Sequence, residues 1–396
     1  MSLPPPPQRG YRSPPPLVDD AMREIFWRIS PNDPKSLLRA AAVCSTWRAI
    51  LSDAAFARDY RAFWGAPPML GFLYDERYAD DQPFHEKQWL SHFVSTATFR
   101  PPACEDRQHW HVLDSRHGLV LFLTPRSHDE LVVCDLVTND QWEIRAHPKC
   151  YDIMWWKLQD DELDDERLSC NAAVLCAKDR CDHLDCHGGP FRVAFVGSDE
   201  QEGRFIVSAI VYSSETCEWS DVICIQQTDI VDATGHKAVV GNKVYFPCVE
   251  SDSVVEYNID EQELSVIDAP FEDQDHPNVR LMGVDDGMLL FASVVNPRLY
   301  LWSMEAGSNG ALELARYRVM ELQPLLPTYV LSNRSDVSAV GFAEGVSVIF
   351  LRTRNGLYTI DLNSGKGEKV LNRRIEKVMP YTSFYTGAWG PLLTLE

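Results

Sequence analysis

At 396 residues, 45% hydrophobic and 11% aromatic, the chain carries enough apolar material for more than one packed domain, which excludes wholesale disorder. Its net charge of −21 is uneven: residues 1–64 hold nine Lys/Arg against six Asp/Glu, and the remainder holds 28 against 52, or −24. A body at −24 repels phosphate backbones, which argues against nucleic-acid binding and makes a basic protein partner the easier fit.

Eleven cysteines are an odd number, and neither a signal-like apolar core near the start nor an apolar run of bilayer length occurs. The expectation is a reducing compartment, cytoplasmic or nuclear, with mostly free thiols and no membrane span. Residues 1–16, with Pro4–Pro7 and Pro14–Pro16, read as a polyproline-like leader without a core.

Residues 17–64 read as a small helical module. Asp19 and Asp20 can cap a first helix whose Met22, Ile25, Phe26 and Ile29 form one apolar stripe that Pro31 ends. Asp33-Pro34 opens a second helix through Leu37, Leu38, Ala41, Ala42 and Val43. A third carries Cys44, Trp47, Ile50 and Leu51, and Asp53 begins a further short run with Phe56, Tyr60 and Phe63. A unit of about 45 residues buries a limited share of its surface, so a partner helix is expected to complete it.

These residues resemble an F-box. The resemblance rests on Leu17, the Ile25-Phe26-x-x-Ile29-x-Pro31 run, Leu37-Leu38-Arg39-Ala40, Val43-Cys44-x-x-Trp47-Arg48 and Ser52-Asp53-x-x-Phe56. It departs at Val18, where the family usually has proline, and at Ile29-Ser30-Pro31, where leucine-proline is commoner. The resemblance implies a three-helix F-box binding the Skp-family adaptor of cullin-RING ubiquitin ligases. Leu17, Ile25, Ile29, Pro31, Leu37, Leu38, Val43 and Trp47 would then form its adaptor-facing and core surface.

Gly65-Ala66-Pro67-Pro68 marks a boundary, and residues 65–396 follow a different period. A glycine followed by a short apolar strand recurs at Gly118, Gly241, Gly287 and Gly345. Each copy is followed by a strand, a polar turn and a second strand, as in Cys134–Trp142, Tyr257–Leu264 and Ile360–Lys366, with looser copies at Val211–Trp219 and Leu301–Glu305. Copies about 45 to 55 residues apart match one four-stranded propeller blade. With a first blade over Leu70–Phe99, the expected fold is α plus all-β: helices followed by a kelch-like propeller of about six blades. The aromatic stretch Pro380–Tyr385 is placed to close the ring.

This body also resembles the F-box-associated propeller regions of large plant F-box families, especially those of grasses. The matching runs are Pro67–Phe72, Asp114–Gly118, Cys181–Phe191 and Tyr381-x-x-Phe384-Tyr385.

Cys181-x-His183-x-x-Cys186-His187, with Cys176 just upstream, is the one cluster with metal-ligand residue types. Zinc needs about four N or S ligands, usually from two separated pairs. Here Cys181, His183, Cys186 and His187 crowd into one loop with no second pair at ligand spacing, which favours a structural turn ending in Gly188-Gly189-Pro190 and no bound cofactor. The six carboxylates of Asp160–Glu166 read as a solvated loop. No phosphate loop, GxSxG elbow or HExxH occurs. The expected function is a non-catalytic substrate receptor of an SCF-type ligase. The alternative is a propeller enzyme or metal-dependent binder with a helical scaffolding module.

Overall fold

The computed structural model describes residues 19–78, 88–104, 107–124, 130–148, 170–178, 181, 183, 186, 188–201, 204–227, 229–249, 251, 253–268, 279–295, 297–306, 312–331 and 337–384. Leu17, the leader 1–16, the acidic run 160–166, His187 and Tyr385 lie outside the described residues.

The module holds four helices rather than three: α1 Asp19–Trp27, α2 Pro34–Val43, α3 Ser45–Leu51 and α4 Ala54–Trp64. The fourth starts where the Asp53 carboxylate accepts the Ala55 amide at 3.1 Å, and it ends at Gly65, whose φ of +79° favours glycine. Asp33 precedes α2 but bonds the Ser36 hydroxyl rather than a backbone amide. Met22, Phe26, Leu37, Ile50, Leu51, Phe56 and Tyr60 fill the core, with Trp47 edge-on to Phe26 at 5.3 Å. The Tyr60 hydroxyl donates to the Ile29 carbonyl at 2.8 Å, so the buried ring keeps a partner for its polar end.

The body is a six-bladed β-propeller. Blade 1 begins with β1 Met69–Tyr78 and β2 Gln88–Ser95. Blade 2 is β3 His111–Arg116, β4 Leu119–Leu123, β5 Glu130–Asp135 and β6 Gln141–Arg145. Blade 3 comprises β7 Cys170–Cys176, β8 Phe191–Gln201 and β9 Arg204–Ser213, with β10 Glu218–Trp219 and β11 Ile223–Gln227 both pairing to β9. Blade 4 is β12 Ala238–Val240, β13 Lys243–Pro247, β14 Val254–Asn258 and β15 Glu263–Ile267. Blade 5 is β16 Arg280–Asp285, β17 Met288–Val295, β18 Arg298–Ala306 and β19 Leu312–Glu321. Blade 6 is β20 Ser338–Ala343, β21 Val348–Thr353, β22 Gly356–Asp361 and β23 Gly367–Leu371. The last strand, β24 Met379–Thr382, returns to blade 1 and pairs antiparallel with β1, Leu73 opposite Met379.

The glycine repeat is the turn between the first and second strands of a blade. Gly118, Gly241, Gly287 and Gly345 all sit at φ between +59° and +81°, and His117 and Asp286 before two of them are also left-handed at +53°. Two consecutive residues at positive φ match the twist of a tight hairpin. The second half of the repeat has its own device: the Asp135 and Asp361 side chains each accept two backbone amides of the turn that follows.

Between each pair of neighbouring blades lies one apolar core. Leu73, Val112, Phe122 and Tyr381 join blades 1 and 2, and Phe72 meets Phe350 edge-on at 5.2 Å between blades 1 and 6. Similar layers join 2 to 3, 3 to 4, 4 to 5 and 5 to 6, which closes the ring.

Candidate functional site

The helical module sits against the seam where the ring closes. In blade 1 the end of β24 and the start of β1 take the place of the tight turn, with the Ser383 amide bonded to the Pro68 carbonyl at 3.2 Å. The next residue, Phe384, is fully buried and enters the helical core against Tyr60. Leu38 packs on the other side, into the layer between blades 1 and 2.

This placement sorts the residues that the F-box resemblance implies. Leu37 is 1% exposed and Pro31 is buried, so neither offers a surface to a partner. Ile29 and Trp47 are half-buried against the module core, and Leu38 faces the propeller. Of the adaptor-facing and core surface that the resemblance implies, Leu37 and Pro31 take the core part and Leu38 the junction with the ring, so α2 covers the module and the ring at once. Ile25 at 48% and Val43 at 63% stand in solvent, with Ala42 and Cys44 exposed beside Val43. Phe63 and Trp64 at the end of α4 are also exposed, the latter with its indole nitrogen donating to the Trp27 carbonyl at 2.9 Å. Of the aromatics in the run that Asp53 begins, Phe56 and Tyr60 are buried and Phe63 is 60% exposed.

Around the ring axis, the first strands of the blades are linked by buried charges. The Lys237 ammonium donates to Asn171 at 3.0 Å and to the Leu113 carbonyl, with the Asp114 carboxylate 3.6 Å away. Arg116 pairs with Glu344 at 2.5 Å, and Glu344 also accepts the Val284 amide at 3.1 Å. Asp114 in turn accepts the Val174 amide at 2.9 Å, so these bonds join five of the six blades. Burial pulls the Lys237 ammonium down to about 7 against the opposing pull of Asp114. His236 donates from Nε2 to the Val340 carbonyl at 2.8 Å, and burial, then the positive charge of Lys377, hold it down to about 3. No local motif marks this belt, because its partners lie more than a blade apart in sequence.

The loop joining β7 to β8 replaces the tight turn in blade 3. Cys176 and Phe191 pair at its base, and the Ala177 amide bonds the Pro190 carbonyl at 2.9 Å. The ligand atoms of Cys176, Cys181, His183 and Cys186 all lie within 4.8 Å of one another. Cys176, carried in from the end of β7, thus joins Cys181, His183 and Cys186 as a fourth candidate ligand. His183 stacks flat on His117 of the blade 2 turn, ring centroids 4.5 Å apart and 8° from parallel. One small notch is lined by His183, Cys186 and His117 together with Pro67, Thr382 and Phe384 of the seam.

No family model matches the sequence, and no curated protein matches it. Solved structures do. The Dos1 propeller is 8% identical, with 76% of this chain covering 68% of that one at a TM-score of 0.35. The β-propeller domain of the Trilobed protease from Pyrococcus furiosus is 11% identical, over 81% of this chain and 94% of that one, TM-score 0.34. A structure of HIRA(644-1017) is 11% identical over 51% of this chain, which spans about half (53%) of that chain, TM-score 0.26.

Proposed function

We propose that this protein is the substrate-receptor subunit of an SCF-type cullin-RING ubiquitin ligase, without catalysis of its own. The helices would bind a Skp-family adaptor, and the propeller would hold a protein target for the ubiquitin-conjugating enzyme that the complex recruits. The observation that carries this reading is the exposure of Ile25 and Val43 on a module whose core is already filled, at positions of the Val43-Cys44-x-x-Trp47-Arg48 signature and the Ile25-Phe26 run. Apolar side chains held in water beside a complete core gain by burial against a partner. The rigid ring supports the target side, since propellers are general scaffolds for protein interaction and the −24 body favours a basic target.

The test is co-purification of adaptor and cullin with the full chain and with an Ile25→Asp/Val43→Asp variant. Wild type should retain both partners and the variant should lose them at unchanged thermal stability. Equal recovery of adaptor by the two chains would remove the docking assignment. The second reading, a metal-dependent binding protein with scaffolding helices, draws on the Cys/His cluster and predicts no adaptor in either sample.

A further inference from the structure

We infer that Cys176, Cys181, His183 and Cys186 form a structural zinc site that fastens the β7–β8 loop beside the ring seam. The inference is independent of whether the helices bind an adaptor.

The spacing of the donor atoms carries it. The Sγ atoms of Cys181 and Cys186 are 3.7 Å apart, and Cys186 Sγ is 3.8 Å from His183 Nδ1. With Zn–S near ~2.3 Å and Zn–N near ~2.0 Å, the corners of a zinc tetrahedron lie about 3.8 Å apart for two sulfurs and about 3.5 Å for sulfur and nitrogen. Two donor separations thus match the edges of a zinc tetrahedron, and all four donors lie within 4.8 Å of one another, a set that small adjustments close around one ion. A disulfide between Cys181 and Cys186 would need the sulfurs about 2.05 Å apart, far closer than they are. Three thiolates with one imidazole are soft ligands, suited to zinc and not to magnesium or calcium.

The surroundings agree with this geometry. The Lys178 amide donates to Cys176 Sγ at 3.4 Å, a contact that stabilises a thiolate. His183 has φ +57°, a left-handed conformation that a non-glycine residue adopts at a cost unless something holds it there. It turns the imidazole toward Cys186 and lays it flat on His117, which fixes the ring plane. Cys186 is 3% exposed, so the ion would be closed off from solvent on that side, as structural sites are. Binding would release the thiol protons and cross-link the loop at four points next to the notch shared with Pro67, Thr382 and Phe384. A zinc ion there stiffens the surface on which the module is seated.

The full chain, expressed with zinc and purified under reducing conditions, should contain about one equivalent of zinc by elemental analysis. Treating it with a mercurial thiol reagent in the presence of a chromogenic chelator should release that zinc. Exchange for Co2+ should give the absorption of a tetrahedral thiolate site. In a Cys181→Ser/Cys186→Ser variant the zinc content should fall by about tenfold or more, with new protease cleavage inside residues 177–190. The release and cobalt measurements need no variant, so misfolding of the mutant does not spoil the test. A zinc-free wild type, zinc retained by the double variant, or a Cys181–Cys186 disulfide found by mass spectrometry in the reduced preparation would each overturn the assignment.

Discussion

Phe384 packs edge-on against Tyr60 of α4, ring centroids 6.1 Å apart and planes at 75°, so a residue from beyond the last strand completes the core of the first four helices. Phe384 is 0% exposed, and truncating a buried phenylalanine costs about 3–5 kcal/mol. Phe384→Ala should therefore loosen the helices from the ring while the inter-blade layers stay packed. Limited proteolysis should show earlier cleavage between residues 64 and 69, with the melting of the propeller little changed. A variant as protected as wild type would show that the seam does not anchor the module.

Leu37 and Leu38 are adjacent in sequence but lie in different cores, and their substitutions should separate. Leu37→Ala should unfold the helical module, at about 2–5 kcal/mol, because Leu37 is enclosed by Met22, Phe26 and Phe56 in one small core. Leu38→Ala removes a contact with the layer of Leu70, Phe99 and Tyr381 and should cost less, since Leu38 is only half-buried. Helical circular dichroism distinguishes them: lost in the first, kept in the second. Identical melting curves for the two would contradict the division.

His236 makes stability depend on pH. Its folded pKa is held down to about 3 by burial and by the nearby positive charges of Lys377, Lys237 and Arg280, whereas the unfolded value is near 6.5. Between these values the unfolded chain takes up a proton that the folded chain refuses, so stability falls as pH drops from 6.5 toward 3 and is full above 6.5. The slope from this group is at most about 1.4 kcal/mol per pH unit. Denaturant melts of wild type and His236→Asn from pH 8 to 4 should show a profile shallower in the variant by about one proton. Parallel profiles would mean that another group carries the acid sensitivity.

Much of the ring was legible in the chain because its signals are local. A glycine at positive φ is needed at every tight turn between first and second strands, and an Asx turn recurs two strands later, so Gly118, Gly287, Asp135 and Asp361 announce the blade period directly. Pro380–Tyr385 was expected to stitch the ring, and β24 does pair with β1. Contacts across distant sequence were not readable. Nothing near Lys237 signals Asp114, and nothing near Leu38 shows that it packs on the layer between blades 1 and 2. Sequence placed Cys176 just upstream of the Cys181–His187 cluster but not within reach of it, whereas the hairpin itself brings the strand end to the loop.

The placement of β24 as the inner strand of the first blade also bears on how the protein is made. Synthesis proceeds from Met69 through five further blades before Met379 can dock, and until then β1 presents one side as a bare row of amides and carbonyls. Such a nascent chain depends on its most distant pairing, the slowest kind to form, and meanwhile offers a template to strands of other copies. A premature stop anywhere between these two strands would accordingly yield an aggregation-prone fragment rather than a smaller closed ring.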